Sequence, residues 1–199
     1  DNTDRVIADP NPKYTMSYKT GITLWNKLRV SGLLDVRRGG QVWDQTRSVL
    51  SNFGTSDATL IRNQQGQFGK NFLTDVYPYV AGPGVGVVAF HTLREWQAWF
   101  TGDGGGFGPV GAQAVEDGSY TKLRELSVSY TFDQLWVKSA TGFSTVDLRL
   151  GGRNLKTWTR YKGYDPEVNL GGAEYLTQGI DYFINPPVRS FVLSLSFNR

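Results

Sequence analysis

Cysteine is missing from this 199-residue chain, which removes disulfides and thiolate metal sites from consideration. Histidine occurs once, at His91. Glu95 lies one helical turn on, but a metal needs a third and a fourth ligand, so the pair reads as two polar side chains at the surface. Apolar residues reach only 39%, below the roughly 45–50% usual for soluble domains. No apolar run approaches the ~18 residues that a membrane-spanning helix requires. The net charge of +3 is too weak to imply nucleic acid. No basic-then-apolar leader precedes the first strand, so no targeting signal is read.

What the chain does have is aromatic residues, at 14%, and 24 glycines. That combination favours β structure with long loops over a helical bundle. The stretch "LRELSVSYTF" shows why. Leu126, Val128, Tyr130 and Phe132 alternate with Ser127, Ser129 and Thr131, the period of a strand with one apolar and one polar face. The same alternation predicts strands over about 14–24, 28–38, 119–132, 145–157 and 188–197. A tight turn at Trp25–Lys27 makes the first pair a hairpin. In the second strand Leu33 is the one apolar residue on the polar side. Loops 39–118 and 158–187 are long. The segment "HTLREWQAWF" (91–100) has the look of a short helix, and "DQLWVKSATGFS" may be given a helical turn.

The expected fold class is all-β, with antiparallel up-and-down strands. Two solvents suit such strands: a protein core against the apolar face, or lipid. In an up-and-down sheet both long connections fall at one end, as the outer loops of an outer-membrane barrel do. Trp25, Phe132, Phe143 and Phe197 collect at the short-turn end. Tyr14 and Tyr120 sit at the other, with Trp158 just beyond. Two aromatic belts around an aliphatic band suit the two bilayer interfaces. Tyr14, Trp25, Tyr120, Phe132 and Phe197 are therefore expected at the membrane interface. Five strands cannot close a barrel, which takes about eight or more. An open edge in lipid strands backbone groups at several kcal/mol each. In lipid, the chain must therefore be a piece of a larger barrel. A soluble carbohydrate-binding β-sandwich stays open as an alternative, as does a structural or adhesive surface barrel whose long loops make protein contacts.

The stretches "IADPNPKYTMSYKTGITL", "LLDVRRGGQVWDQTR", "VEDGSYTKLRELSVSYTF", "LRLGGRNLKTWTRYKGYDPEV" and "PPVRSFVLSLSFNR" run in order along nearly the whole chain. In them the chain resembles the C-terminal barrel portion of SusC/RagA-type TonB-dependent outer-membrane transporters. The Gly-Arg-Asn-Leu run, a tryptophan and Gly-Tyr-Asp-Pro-Glu are the specific part. The resemblance implies a transmembrane β-barrel of roughly 22 strands around an N-terminal plug, with this chain supplying about the last five. It implies transport in the cell outer membrane of a Gram-negative bacterium: nutrient uptake of oligosaccharides, peptides or similar bulky ligands. The implied partners are the remainder of the barrel and its plug, a SusD-like surface lipoprotein, TonB acting through an N-terminal region, and outer-membrane lipid.

No enzyme chemistry, cofactor or metal site is expected. "GDGGGFG" (102–108) lacks the following Gly-Lys-Ser/Thr of a phosphate cradle, and Asp117-Gly118 reads as a turn. In the second long loop, Trp158, Tyr161, Tyr164 and Tyr175 interleave with charged residues. Flat aromatics beside hydrogen-bonding groups suit a sugar or a docked protein lid. Trp158 and Tyr161 serve equally well as belt residues. Arg37, Arg38, Lys122 and Arg124 form a basic rim that could meet lipopolysaccharide phosphates.

Overall fold

The structure, a computed structural model, describes residues 6–56, 79–80, 87–88, 111–172 and 178–199. Its strands are β1 (Pro12–Leu24), β2 (Leu28–Gly39), β3 (Gln41–Asp44), β4 (Tyr79–Val80), β5 (Val87–Val88), β6 (Val115–Asp117), β7 (Tyr120–Phe132), β8 (Thr145–Thr159), β9 (Ile180–Asp181) and β10 (Ser190–Asn198). Two short helices, α1 (Gln45–Asn52) and α2 (Leu135–Thr141), accompany them. A 3₁₀ turn spans Gly111–Ala114. Among the described residues no helix is long and apolar enough to cross a membrane, which says nothing about strands.

The chain divides into two compact units. The first, the sheet unit, comprises Lys13–Arg38, Tyr120–Thr159 and Pro186–Arg199. It is a five-stranded antiparallel meander in the order β1-β2-β7-β8-β10. Every neighbour in space is the next long strand in sequence, so the pairing needs no crossover. The β1–β2 connection is a two-residue reversal: Trp25 and Asn26 both have positive φ (51° and 55°), and the Lys27 N–H donates to the Leu24 carbonyl. That double left-handed geometry matches the twist of the flanking strands. At the β7–β8 connection, α2 ends on Gly142 at φ 76°, whose N–H caps the Lys138 carbonyl.

The two faces of this sheet are chemically opposite. Tyr18, Ile22, Leu150, Phe191 and Leu193 are each at least 55% exposed on one face. Among the described residues, no second layer covers them. The other face carries serines, glycines and charges. Opposed residues on it form rungs: Arg29–Ser129–Arg149–Ser194, Ser31–Ser127–Gly151–Val192, and Leu33–Glu125–Arg153–Ser190. Leu33 thus lies on the polar face, as its place in the alternation indicates.

Two irregularities meet at one height. On β7 the register with β2 skips Arg124. Opposite it, β8 inserts Asn154 and Leu155. Asn154 takes φ 51° and its side-chain amide donates to the Val188 carbonyl at 3.0 Å. Leu155 then folds over Gly152, where an added Cβ would meet its Cδ2 at 2.6 Å. The Gly-Arg-Asn-Leu run is therefore a bulge with its own cover, and Gly152 is what makes room for it. The extra residue in β7 reverses the alternation there. Tyr120 and Lys122, which pair with Arg37 and Asp35, turn to the polar face.

The second, loop unit comprises the described parts of Asp1–Pro12, Gly39–Ser119 and Arg160–Asn185. Its three-stranded sheet has the order β6-β3-β9, with β6 antiparallel and β9 parallel to β3. Val42, Val49, Ala114, Val115, Tyr161 and Val168 are buried in it. The long stretches with no sustained period thus hold short strands, too brief for alternation to register. Gly179 closes the β9 edge: its carbonyl accepts from the Trp43 N–H at 2.7 Å. Its φ is 75°, and an added Cβ would lie 2.6 Å from Pro10 and 2.9 Å from the Gln41 carbonyl. Only glycine suits that position.

Candidate functional site

The polar face of the sheet unit holds a hollow of about 540 Å³. Its floor is the pair of small residues Ser31 and Ser127, to which Gly21 adds from β1, its Cβ position 3.4 Å from that of Ser31. The hydroxyls of Ser31 and Ser127 share a hydrogen bond of 2.8 Å. Larger side chains stand on either side: Arg29 and Arg149 above, Lys19 and Glu125 below. Register produces this relief, because Ser31 and Ser127 carry little side-chain volume while Arg29, Arg149 and Glu125 on the adjoining rungs carry a great deal.

Every acid on this face is engaged. Asp35 accepts from Arg124 Nε and from the Ser17 hydroxyl, both at 2.6 Å. Glu125 pairs with Arg153 at 3.3 Å. Asp147 accepts from Thr131 and from Asn198, the latter at 3.0 Å. The face's uncompensated charge is therefore positive.

In the loop unit carboxylates are buried beside an arginine, a tyrosine and a threonine. Asp44 and Asp181 are paired neighbours on parallel strands, each 1% exposed. Asp44 caps α1 by accepting from the Arg47 N–H at 2.9 Å. Its other oxygen lies 3.3 Å from Arg47 Nε, near enough to attract but not aligned as a hydrogen bond. Arg47 also reaches Glu116 at 2.8 Å. Asp181 accepts from the hydroxyls of Tyr161, at 2.7 Å, and Thr46, at 2.9 Å. Burial raises the Asp44 carboxyl above its ordinary 3.8; the Arg47 N–H and guanidinium oppose that, and Asp181 and Glu116 add to it. Burial likewise raises the Tyr161 phenol, with the charge of Asp44 and the bond to Asp181 behind it.

The residues singled out in the sequence fall in several places. Tyr161 is buried and its hydroxyl donates to Asp181. Trp158 belongs to strand β8 and not to the loop, and is half exposed. Tyr164 is 74% exposed. Tyr175, His91, Glu95, the 91–100 segment and the 102–108 glycine run lie outside the described residues. Tyr14, Trp25 and Phe197 are exposed; Phe132 stacks edge-on against Tyr130 at 4.6 Å, and Phe197 meets Phe143 at 5.2 Å. Tyr120 corrects the belt assignment: it is buried on the polar face, with Lys122 Nζ 4.9 Å from its ring centre. The basic rim is corrected in the same way. Lys122 is 3% exposed, Arg124 holds Asp35, and Arg38 donates to the Tyr120 carbonyl and the Thr121 hydroxyl. Alternation missed these placements because the β7 bulge reverses it. The hollow was missed because no single strand contains it; only the register brings its rungs together.

No family model matches the chain. It is 27% identical over 196 residues to TonB-dependent receptor P3 of Formosa agariphila, covering 96% of this chain and 17% of that protein. Its fold matches the RagAB peptide importer in the 'open-open' state with a TM-score of 0.59 at 16% identity, over 98% of this chain and 18% of the other. The 'closed-closed' state of the same importer gives 0.58 at 16% identity, with the same coverage. This chain thus spans less than a fifth of the length of the proteins it matches. In sequence the chain is thus similar to a part of one TonB-dependent receptor, and in fold to a part of the RagAB peptide importer.

Proposed function

We propose that this chain is barrel wall and outer loop of a TonB-dependent importer in the outer membrane of a Gram-negative bacterium. It would be the C-terminal portion of such a protein, which takes up peptides, oligosaccharides or similarly bulky ligands. The observation that carries this reading is the inverted sheet: among the described residues its apolar face is uncovered while its polar face forms a hollow. A soluble sandwich buries the apolar face and wets the polar one. A barrel in lipid does the reverse. Strands β1 and β10 each have one free edge within the sheet, and in lipid such edges need further strands of the same barrel. Binding and gated passage need no covalent chemistry from this segment. Energy from TonB, a plug and a SusD-like lid would be supplied by the rest of the assembly.

The test is made on the full-length protein in its native host. It should stay in the outer-membrane fraction after an alkaline carbonate wash, and leave it only with detergent. Deleting the gene should abolish uptake of a labelled peptide or oligosaccharide mixture. A protein recovered in the aqueous fraction without detergent would overturn the membrane reading. Intact uptake in the deletion strain would overturn the importer.

A further inference from the structure

We infer that the hollow on the polar face is an anion site, built to take carboxylate groups of a ligand passing along the barrel interior. The inference rests on the importer reading and adds a ligand chemistry to it. Arg29 and Arg149 stand on one rung, separated only by Ser129. Two strand spacings separate their backbones, roughly 10 Å, a span that two extended arginines close over one small anion. Between them there is only a hydroxyl, and beside them lies the floor of small residues.

Charge bookkeeping on this face points the same way. Asp35, Glu125 and Asp147 are each held by a neighbour. Among the described residues, Arg29, Arg149 and Lys19 have no acidic partner, whereas Arg124, Arg153 and Lys27 each have one. Two arginines and a lysine line an open space with serine hydroxyls at its base and Glu125, paired with Arg153, at its edge. Guanidinium forks match a carboxylate bidentately, and such charge-assisted bonds are about twice as strong as neutral ones. A neutral sugar would leave these cations without counter-charge.

A carboxylate reaching the hollow has two sources: a solute, or another part of the same protein. Full-length protein in detergent distinguishes them, with fluorescein-labelled hexaglutamate and hexaglutamine as probes. Hexaglutamate should bind about tenfold tighter at low salt, and the preference should shrink at 0.5 M NaCl, since exposed charges are then screened within about 4 Å. Arg29→Gln/Arg149→Gln should abolish the preference without lowering the melting temperature. Arg29→Lys/Arg149→Lys, which keeps charge but loses the fork, should retain part of it. A double glutamine variant that keeps the full preference overturns the site. So does one that melts lower with its preference intact, because the arginines would then hold a carboxylate of the protein itself. Membrane partition is read separately: a membrane-bound protein with no preference loses this site and keeps the importer reading.

Discussion

The two units of this chain solve the problem of polar and apolar groups in opposite ways. The loop unit follows the rule for water-soluble proteins: valines inside, and buried carboxylates matched to arginine, tyrosine and threonine. The sheet unit leaves leucine, isoleucine and phenylalanine outside and collects its charges around a hollow. Both are β structure built by one sequence from pairings between distant segments. The difference lies in which surroundings each expects.

The comparison breaks most visibly at Leu150, which is 55% exposed in the middle of the apolar face. In lipid, Leu150→Arg should cost about 2–4 kcal/mol near the midplane. On a water-facing sheet the same change should stay within about 0.5 kcal/mol. Urea titration of the full-length protein folded into lipid vesicles reads which applies. In the loop unit, Gly179→Ala should cost about 2 kcal/mol or more, because it meets the Pro10 ring and the Gln41 carbonyl at a left-handed φ. Gly152→Ala should be milder, about 1 kcal/mol, since the end of the Leu155 side chain can move aside. Thermal melting of the two variants side by side ranks them.

Tyr161→Phe removes one of the two side-chain hydroxyls that Asp181 accepts and should cost about 1–2 kcal/mol. Hydrogen exchange at β3 and β9 amides should rise with it. The pH dependence of the loop unit sharpens the contrast further. The folded Asp44 binds its proton more tightly than the unfolded one. Its contribution is therefore fully present below pH 3.8 and is lost as pH rises through the raised folded value. Asp44→Asn, which can still accept the Arg47 N–H, should gain on the wild type between pH 4 and pH 7, as measured by denaturant unfolding. The smallest effect belongs to the exposed turn pair Lys27–Asp133 at 2.5 Å. Lys27→Met should change the melting temperature barely at all, as exposed ion pairs do.

The meander was legible from sequence because strands of nine to fifteen residues repeat their alternation many times. Its bulges were not. Arg124 is an ordinary strand residue in a list of letters, and only pairing reveals that β2 has no residue opposite it. Tyr120 and Lys122 were misplaced for that single reason. The loop unit was hidden differently: β3, β6 and β9 are four, three and two residues long, and their contacts join positions more than sixty apart. Tyr161 looked like a surface aromatic because nothing near it in the chain announces Asp181.

In the proposed barrel, the bulges on β7 and β8 would also act as a waterline. From Phe132 to Leu123 the outward side of β7 climbs about eight rungs, some 27 Å of strand. Tilted at about 40°, that is a height near 21 Å, close to the ~25 Å greasy band of a barrel. At and past the bulge the outward positions of β7 and β8 become Lys156, on the rung of Leu123, and then Thr121 and Trp158, with Val36 of β2 beside them. In the proposed barrel, these insertions would set where hydrocarbon ends along the two strands, and the depth at which the wall floats would follow from them.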